Sequence, residues 1–138
     1  MSTFNYGPPG LGNVASYQVS GKPFATGSVT APASGSIPLK IEFPSVTRWV
    51  HVIPHNDSGT KKDLRIGFSE YGVTSGSNYI KLHSRNTDTY PPRFELKVSE
   101  LWFMCDSAVT CEFDLIAGLT GISTGSISNN WSGSAGVG

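Results

Sequence analysis

An all-β sandwich is the fold class this sequence predicts. Apolar and polar residues alternate at period two from about Val46 to Ala117, with turn signals roughly every eight to twelve positions. No stretch keeps an apolar 3.6-residue period over three turns, and 16 Gly and 9 Pro interrupt the chain too often for long helices. At 138 residues this is one domain, large enough to bury roughly two-thirds of its unfolded surface without metals or disulfides.

The expected strands follow in chain order. Residues 16–20 and 24–28 read as short strands around the Gly21-Lys22-Pro23 turn. In 37–43 the residues Ile37, Leu39, Ile41 and Phe43 alternate, and Pro38 at the start suggests a sheet edge. Residues 46–53 are β-branched and aromatic on both faces, so this strand is expected at the centre, covered on each side. In 64–69 Leu64, Ile66 and Phe68 share a face, and 78–83 sets Ile80 and Leu82 against Tyr79, Lys81 and His83. The alternation is strict in 94–98, where Glu95 and Lys97 point to water, and in 111–115, where Glu112 and Asp114 do. Residues 101–105 are apolar throughout and are expected to pair with 110–117 as a hairpin across an Asp106–Val109 turn.

About eight strands in some hundred residues, without a Cys…Trp…Cys core, favour a single jelly roll over an immunoglobulin-like sandwich. Trp49 sits in the expected central strand, but neither cysteine stands where an inter-sheet bridge would need it. The jelly roll is expected to span 14–117. A Gly- and Pro-rich arm (1–13) precedes it and a Gly- and Ser-rich tail (118–138) follows.

Ten basic and ten acidic residues balance to zero net charge and make up 14% of the chain. Neutralising phosphates takes clustered Lys and Arg, so nucleic acid is not an expected partner. No apolar run approaches the roughly 20 residues that span a bilayer. The start, Met-Ser-Thr-Phe-Asn-Tyr, lacks the charged and apolar regions of a secretory signal, which points to the cytoplasm. Cys105 and Cys111 flank the expected 106–109 turn, a spacing whose geometry admits a disulfide. A reducing compartment favours two buried thiols instead, and the spacing fits no zinc pattern.

Candidate chemistry is sparse. Asp57-Ser58-Gly59-Thr60 matches the tetrapeptide of aspartic proteases, whose dyad needs a hydrophobic strand running into the aspartate. Here His55-Asn56 precede it and Lys61-Lys62-Asp63 follow, the composition of a solvated hairpin loop. His51, His55 and His83 are the available histidine ligands, but Pro54 interrupts the spacing between the first two and nothing ties the third to them. The sequons at Asn56 and Asn130 read as chance occurrences in Asn/Ser-rich loops. No catalytic residue, metal ligand or cofactor site is therefore assigned. Tyr71, Tyr79 and Tyr90 fall in or beside loops and are the candidate surface contacts for a glycan or protein partner, unless they cover the sandwich ends. Phe4, Tyr6 and Leu11, on a proline-stiffened arm, and Trp131 in the tail are the candidate assembly contacts.

The run Gly12-Asn13-Val14-Ala15-Ser16-Tyr17-Gln18-Val19-Ser20-Gly21-Lys22-Pro23-Phe24 resembles the start of small viral single jelly-roll capsid proteins. Val46-Thr47-Arg48-Trp49-Val50, Leu64-Arg65-Ile66-Gly67-Phe68-Ser69 and Phe94-Glu95-Leu96-Lys97-Val98-Ser99-Glu100-Leu101 do so as well. The nearest in kind is the penton, or vertex, protein of large icosahedral double-stranded DNA viruses. That resemblance implies a homo-pentamer closing each capsid vertex, tails touching neighbouring capsid proteins, assembly in the host cytoplasm, residence in the virion and no catalytic residues. The competing expectation is a binding module, the trimeric glycan- or receptor-binding head of a viral fibre.

Overall fold

The structure is a computed structural model and describes residues 22–55, 63–83 and 91–126. Its strands are β1 (Pro23–Ala31), β2 (Leu39–Glu42), β3 (Ser45–Pro54), β4 (Asp63–Gly67), β5 (Tyr79–His83), β6 (Glu100–Cys105) and β7 (Cys111–Ser123). A short helix, α1 (Glu70–Thr74), joins β4 to β5, and a 3-10 turn (Thr124–Ser126) follows β7. The fold is all-β, as expected. Two antiparallel sheets run β1-β7-β3 and β2-β6-β4-β5. The expected strand over 16–20 lies outside the described residues.

Period-two patterning decides which side chains enter the space between the sheets. In β7 the residues Cys111, Phe113 and Leu115 are buried while Glu112 and Ile116 are exposed. From the other sheet, Leu64 and Ile66 of β4 and Leu101 and Phe103 of β6 meet them. Phe103 stacks on Phe113 with ring centroids 4.4 Å apart, and Phe24 meets Phe43 edge-on at 5.2 Å. Each ring fully removed from water stabilises the sandwich by about 1.5–3 kcal/mol before entropy is counted.

Four sequence expectations are corrected. The first concerns 94–98, which alternates as expected but forms no ladder strand. Its one bridge to β3 is Val50–Phe94, with N–H···O distances of 2.8 and 2.7 Å, and the Thr47 amide donates to the Val98 carbonyl at 3.1 Å. Further along, the Thr47 hydroxyl takes the place of a ladder partner, donating to the Leu96 carbonyl at 2.6 Å and accepting from the Val98 amide at 3.1 Å. The segment still lies along the edge of β3, with Phe94 and Leu96 packed on the core.

The second correction follows from the first: β3 flanks its sheet, and the central strand is β7. The start of the edge segment meets the outer side chains of β3 at Trp49 and His51. The Arg93 guanidinium lies 5.6 Å from the Trp49 ring centre, and His51 Nε2 donates to the Pro91 carbonyl at 2.9 Å.

Third, β6 and β7 are not a hairpin. They belong to opposite sheets, and the chain crosses between sheets at 106–110. β6 is flanked on both sides by β2 and β4, and β7 by β1 and β3, so neither has an edge free for the other. The corner is held by Asp106 N–H to the Asp63 carbonyl (2.8 Å), Cys105 N–H to Pro32 (2.8 Å) and Ser34 N–H to Ser107 (2.8 Å).

Fourth, Cys105 and Cys111 do form a disulfide, with Cα atoms 5.6 Å apart, and it joins β6 in one sheet to β7 in the other. Adjacent strands in sequence become facing strands in space, which the expected hairpin concealed.

β7 also runs on past Ala117 to Ser123, so the boundary drawn at Gly118 falls inside it. Leu119, Thr120 and Ile122 are buried there, and Thr120 Oγ1 donates to the Val46 carbonyl at 2.7 Å. Pro38 precedes an edge strand, as expected. β4 stops at Gly67 because Ser69 caps α1, its Oγ accepting from the Gly72 amide at 2.9 Å. A Cβ on Gly67 would stand 2.5 Å from Val73 Cγ1, so α1 packs directly on the bare backbone.

Counting 94–98 as the sixth of eight extended segments makes the connectivity simple. The first pairs with the eighth, the second with the seventh, the third with the sixth and the fourth with the fifth. This is one long antiparallel hairpin with its tip at α1, whose successive pairs fall alternately in the two sheets.

Candidate functional site

Two polar clusters stand on the outer faces of the sheets. On the four-stranded sheet, Arg65 of β4 donates from Nε to Asp106 Oδ1 at 2.6 Å, and its Nη2 pairs with the same oxygen. Lys81 of β5 holds the other carboxylate oxygen at 2.7 Å. Arg65 Nη1 donates to the Val73 carbonyl at 2.9 Å, and the guanidinium lies 4.6 Å from the Tyr79 ring centre. Alternation places Arg65, Tyr79 and Lys81 on one face, and the β4–β5 register sets Arg65 opposite Lys81. Hydrogen bonds from Lys81 first, and then Arg65, hold the Asp106 carboxyl below its ordinary range. Held as an anion, this aspartate fastens the corner between the sheets.

On the three-stranded sheet, β1 bulges between Thr26 and Val29, and Ser28 takes a φ of 51°. That bend aims the Ser28 amide at Asp114 Oδ1, 2.8 Å away. His55, just past β3, places Nε2 2.9 Å from the same Asp114 oxygen and Nδ1 3.5 Å from Glu112 Oε2. The hydrogen bond to Asp114 leads in raising the His55 pKa, against partial burial, which lowers it. The Ser28 amide leads in lowering that of Asp114, with His55 second. Both His55 nitrogens face carboxylates, which favours the imidazolium.

The three histidines are held separately. His51 bonds the Pro91 carbonyl, His55 pairs with Asp114 and Glu112, and His83 Nδ1 meets Asp63 Oδ1 at 2.9 Å. Among the described residues no three His, Cys, Asp or Glu side chains gather as a metal site. No described helix is long and apolar enough to cross a membrane.

Of the tyrosines, Tyr71 projects from α1 and is 62% exposed. Tyr79 opens β5, half-buried beneath Arg65. Tyr90 lies outside the described residues, as do Phe4, Tyr6, Leu11 and Trp131, the protease-like tetrapeptide and both sequons.

The Arg65–Asp106–Lys81 cluster escaped the sequence reading because its members come from three elements with no fixed spacing. Glu112 and Asp114 are legible only as an outward face, since their histidine partner His55 arrives from just past β3. No known family matches this chain, and neither does any curated protein or solved structure.

Proposed function

We propose that this chain is a single jelly roll serving as a structural capsid subunit, a penton whose five copies close an icosahedral vertex. The observation that carries this reading is the connectivity. A hairpin of eight segments, wrapped so that its pairs alternate between two sheets, is the plan of the jelly roll, an architecture shared by viral capsid proteins and lectins. The resemblance of 12–24, 46–50, 64–69 and 94–101 to small viral capsid proteins points to the capsid branch. A fivefold ring needs two different complementary flanks on each subunit, and a jelly roll offers them as its two unlike outer faces and edges. The neutral charge balance limits repulsion among crowded copies. On this reading the arm at 1–13, with Phe4, Tyr6 and Leu11, and Trp131 in the tail contact neighbouring capsid proteins.

Native mass measurement of the purified full chain tests the proposal. Masses in multiples of five support the penton, and a stable trimer overturns it. Tyr71, a large aromatic exposed on α1, favours the second reading, a trimeric glycan- or receptor-binding head. A saccharide hit on a glycan array that disappears in Tyr71→Ala would establish that alternative.

A further inference from the structure

The cysteine pair sits at a corner that is complete without it. Asp106 N–H, Cys105 N–H and Ser34 N–H all find carbonyl partners across the sheet-to-sheet crossing, and the Asp106 carboxylate is held by Arg65 and Lys81. These contacts involve neither sulfur. They bring the Cys105 and Cys111 Cα atoms to 5.6 Å, inside the range a disulfide requires. Both residues are buried, at 0% and 4% exposure.

Each sulfur also has an oxygen beside it. Cys105 Sγ lies 3.2 Å from Ser107 Oγ, and Cys111 Sγ lies 3.8 Å from the Asp63 carbonyl. A disulfide sulfur has no proton to donate, so the oxidised form makes no use of these acceptors. In the reduced form each would receive one S–H. The Ser107 hydroxyl is suited to this, because its own proton is directed to the Val109 carbonyl at 3.1 Å. The pocket is therefore furnished for two thiols as well as for one bond.

We propose that Cys105–Cys111 is a reversible redox lock between the two sheets, closed after folding and not needed for it. In the closing step one cysteine thiolate attacks a low-molecular-weight disulfide, forming a mixed disulfide and releasing one small thiol. The second cysteine thiolate attacks the first cysteine's sulfur, forming the Cys105–Cys111 bond and expelling the second small thiol. The protein dithiol loses two electrons and the small disulfide gains them; both thiol protons end on the released small thiols or in solvent. Opening is the reverse, and burial of both sulfurs makes each direction wait on local opening of 106–110. The lock suits any protein made in a reducing compartment and used outside it, and does not depend on the capsid reading.

The test compares oxidised wild type, wild type reduced with dithiothreitol, and the Cys105→Ser/Cys111→Ser double variant, in urea and by amide hydrogen exchange. All three are expected to give the same far-UV spectrum and the same protection in the strands, with faster exchange at 106–110 when the bond is open. The unfolding equilibrium constant should rise about 50-fold on reduction, the chain-entropy effect of so short a loop. Folded, reduced protein exposed to oxidised glutathione should recover the bond, read as loss of two alkylatable thiols by mass. Unfolding of the reduced wild type overturns the proposal, because the bond would then be a requirement for folding. Coincident urea midpoints, or failure of the folded dithiol to oxidise, overturn it as well. The reduced wild type keeps the test decisive even if the serine variant does not fold.

Discussion

The two sheets share one core but are built differently. Sheet β2-β6-β4-β5 pairs residue for residue with no register shift, and its outer face is tied by Arg65, Lys81 and Asp106. Sheet β1-β7-β3 shifts register in both of its pairings, between Thr26 and Val29 and around Thr47, and its last edge is finished by a segment that barely pairs. There, side-chain hydroxyls replace backbone partners: Thr47 serves Leu96 and Val98, and Thr120 joins Val46 to Ile122. A regular ladder satisfies its backbone groups by repetition, whereas an irregular one needs a particular side chain at a particular place. The irregular sheet is thus the one with individually indispensable polar residues.

The largest effect should ignore the difference between the sheets. Phe113→Ala in β7 and Phe103→Ala in β6 each empty half of the stacked pair that joins them, and each should cost about 3–5 kcal/mol in urea unfolding. The double variant should lose clearly less than the sum, because the rings are each other's contact. Strict additivity would mean that the sheets are stabilised separately.

Polar contacts should then divide them. Thr47→Val keeps the shape but strands the Leu96 carbonyl and the Val98 amide, and should cost about 2–3 kcal/mol. Faster amide exchange at Val98 in that variant would locate the loss. Gly67→Ala probes the regular sheet from outside. Its new Cβ collides with buried Val73, so α1 must move, at about 1.5 kcal/mol. A more stable Gly67→Ala protein would show that α1 yields freely.

The smallest effects are pH-dependent and opposite in sign. The folded-state pKa of Asp106 lies below its ordinary 3.8. Its contribution is therefore present above about that pH and is lost as pH falls through the depressed value. Asp106→Asn should flatten the acid limb of the stability curve. The folded-state pKa of His55 lies above 6.5, so its contribution is complete below that pH and is lost as pH rises through the raised value. His55→Gln should remove that decline, which begins as pH rises past 6.5. A stability profile unchanged in either variant would exclude the corresponding pair as a stabilising contact.

Legibility in the sequence followed the same division. Strands β2, β4 and β5 are readable from alternation, to within a few residues at their ends, and β6 from its continuous apolar run. Segment 94–98 has that pattern too, yet makes one isolated bridge and leans on the Thr47 hydroxyl for the rest, and alternation reports which side is buried without reporting what the backbone bonds to. The C-terminal half of β7 is hidden in the sequence because Gly118 and Gly121 look like tail composition, although Leu119 and Ile122 between and beyond them are core. Of the candidate contacts, Tyr71 stands on α1, a helix the sequence reading does not contain, and the charged clusters require partners from distant strands.

By itself, the sequence determined the all-β class, its apolar faces, an edge at Pro38 and, among the described residues, the lack of long helices. These depend on local periodicity and on Gly and Pro, which act over a few residues. The tertiary structure alone decided that β7 is central, that β6 and β7 face each other across the core, and that Cys105 and Cys111 therefore join two sheets. Strand order depends on which edges are already occupied, a property of the assembled ladder that no single segment carries.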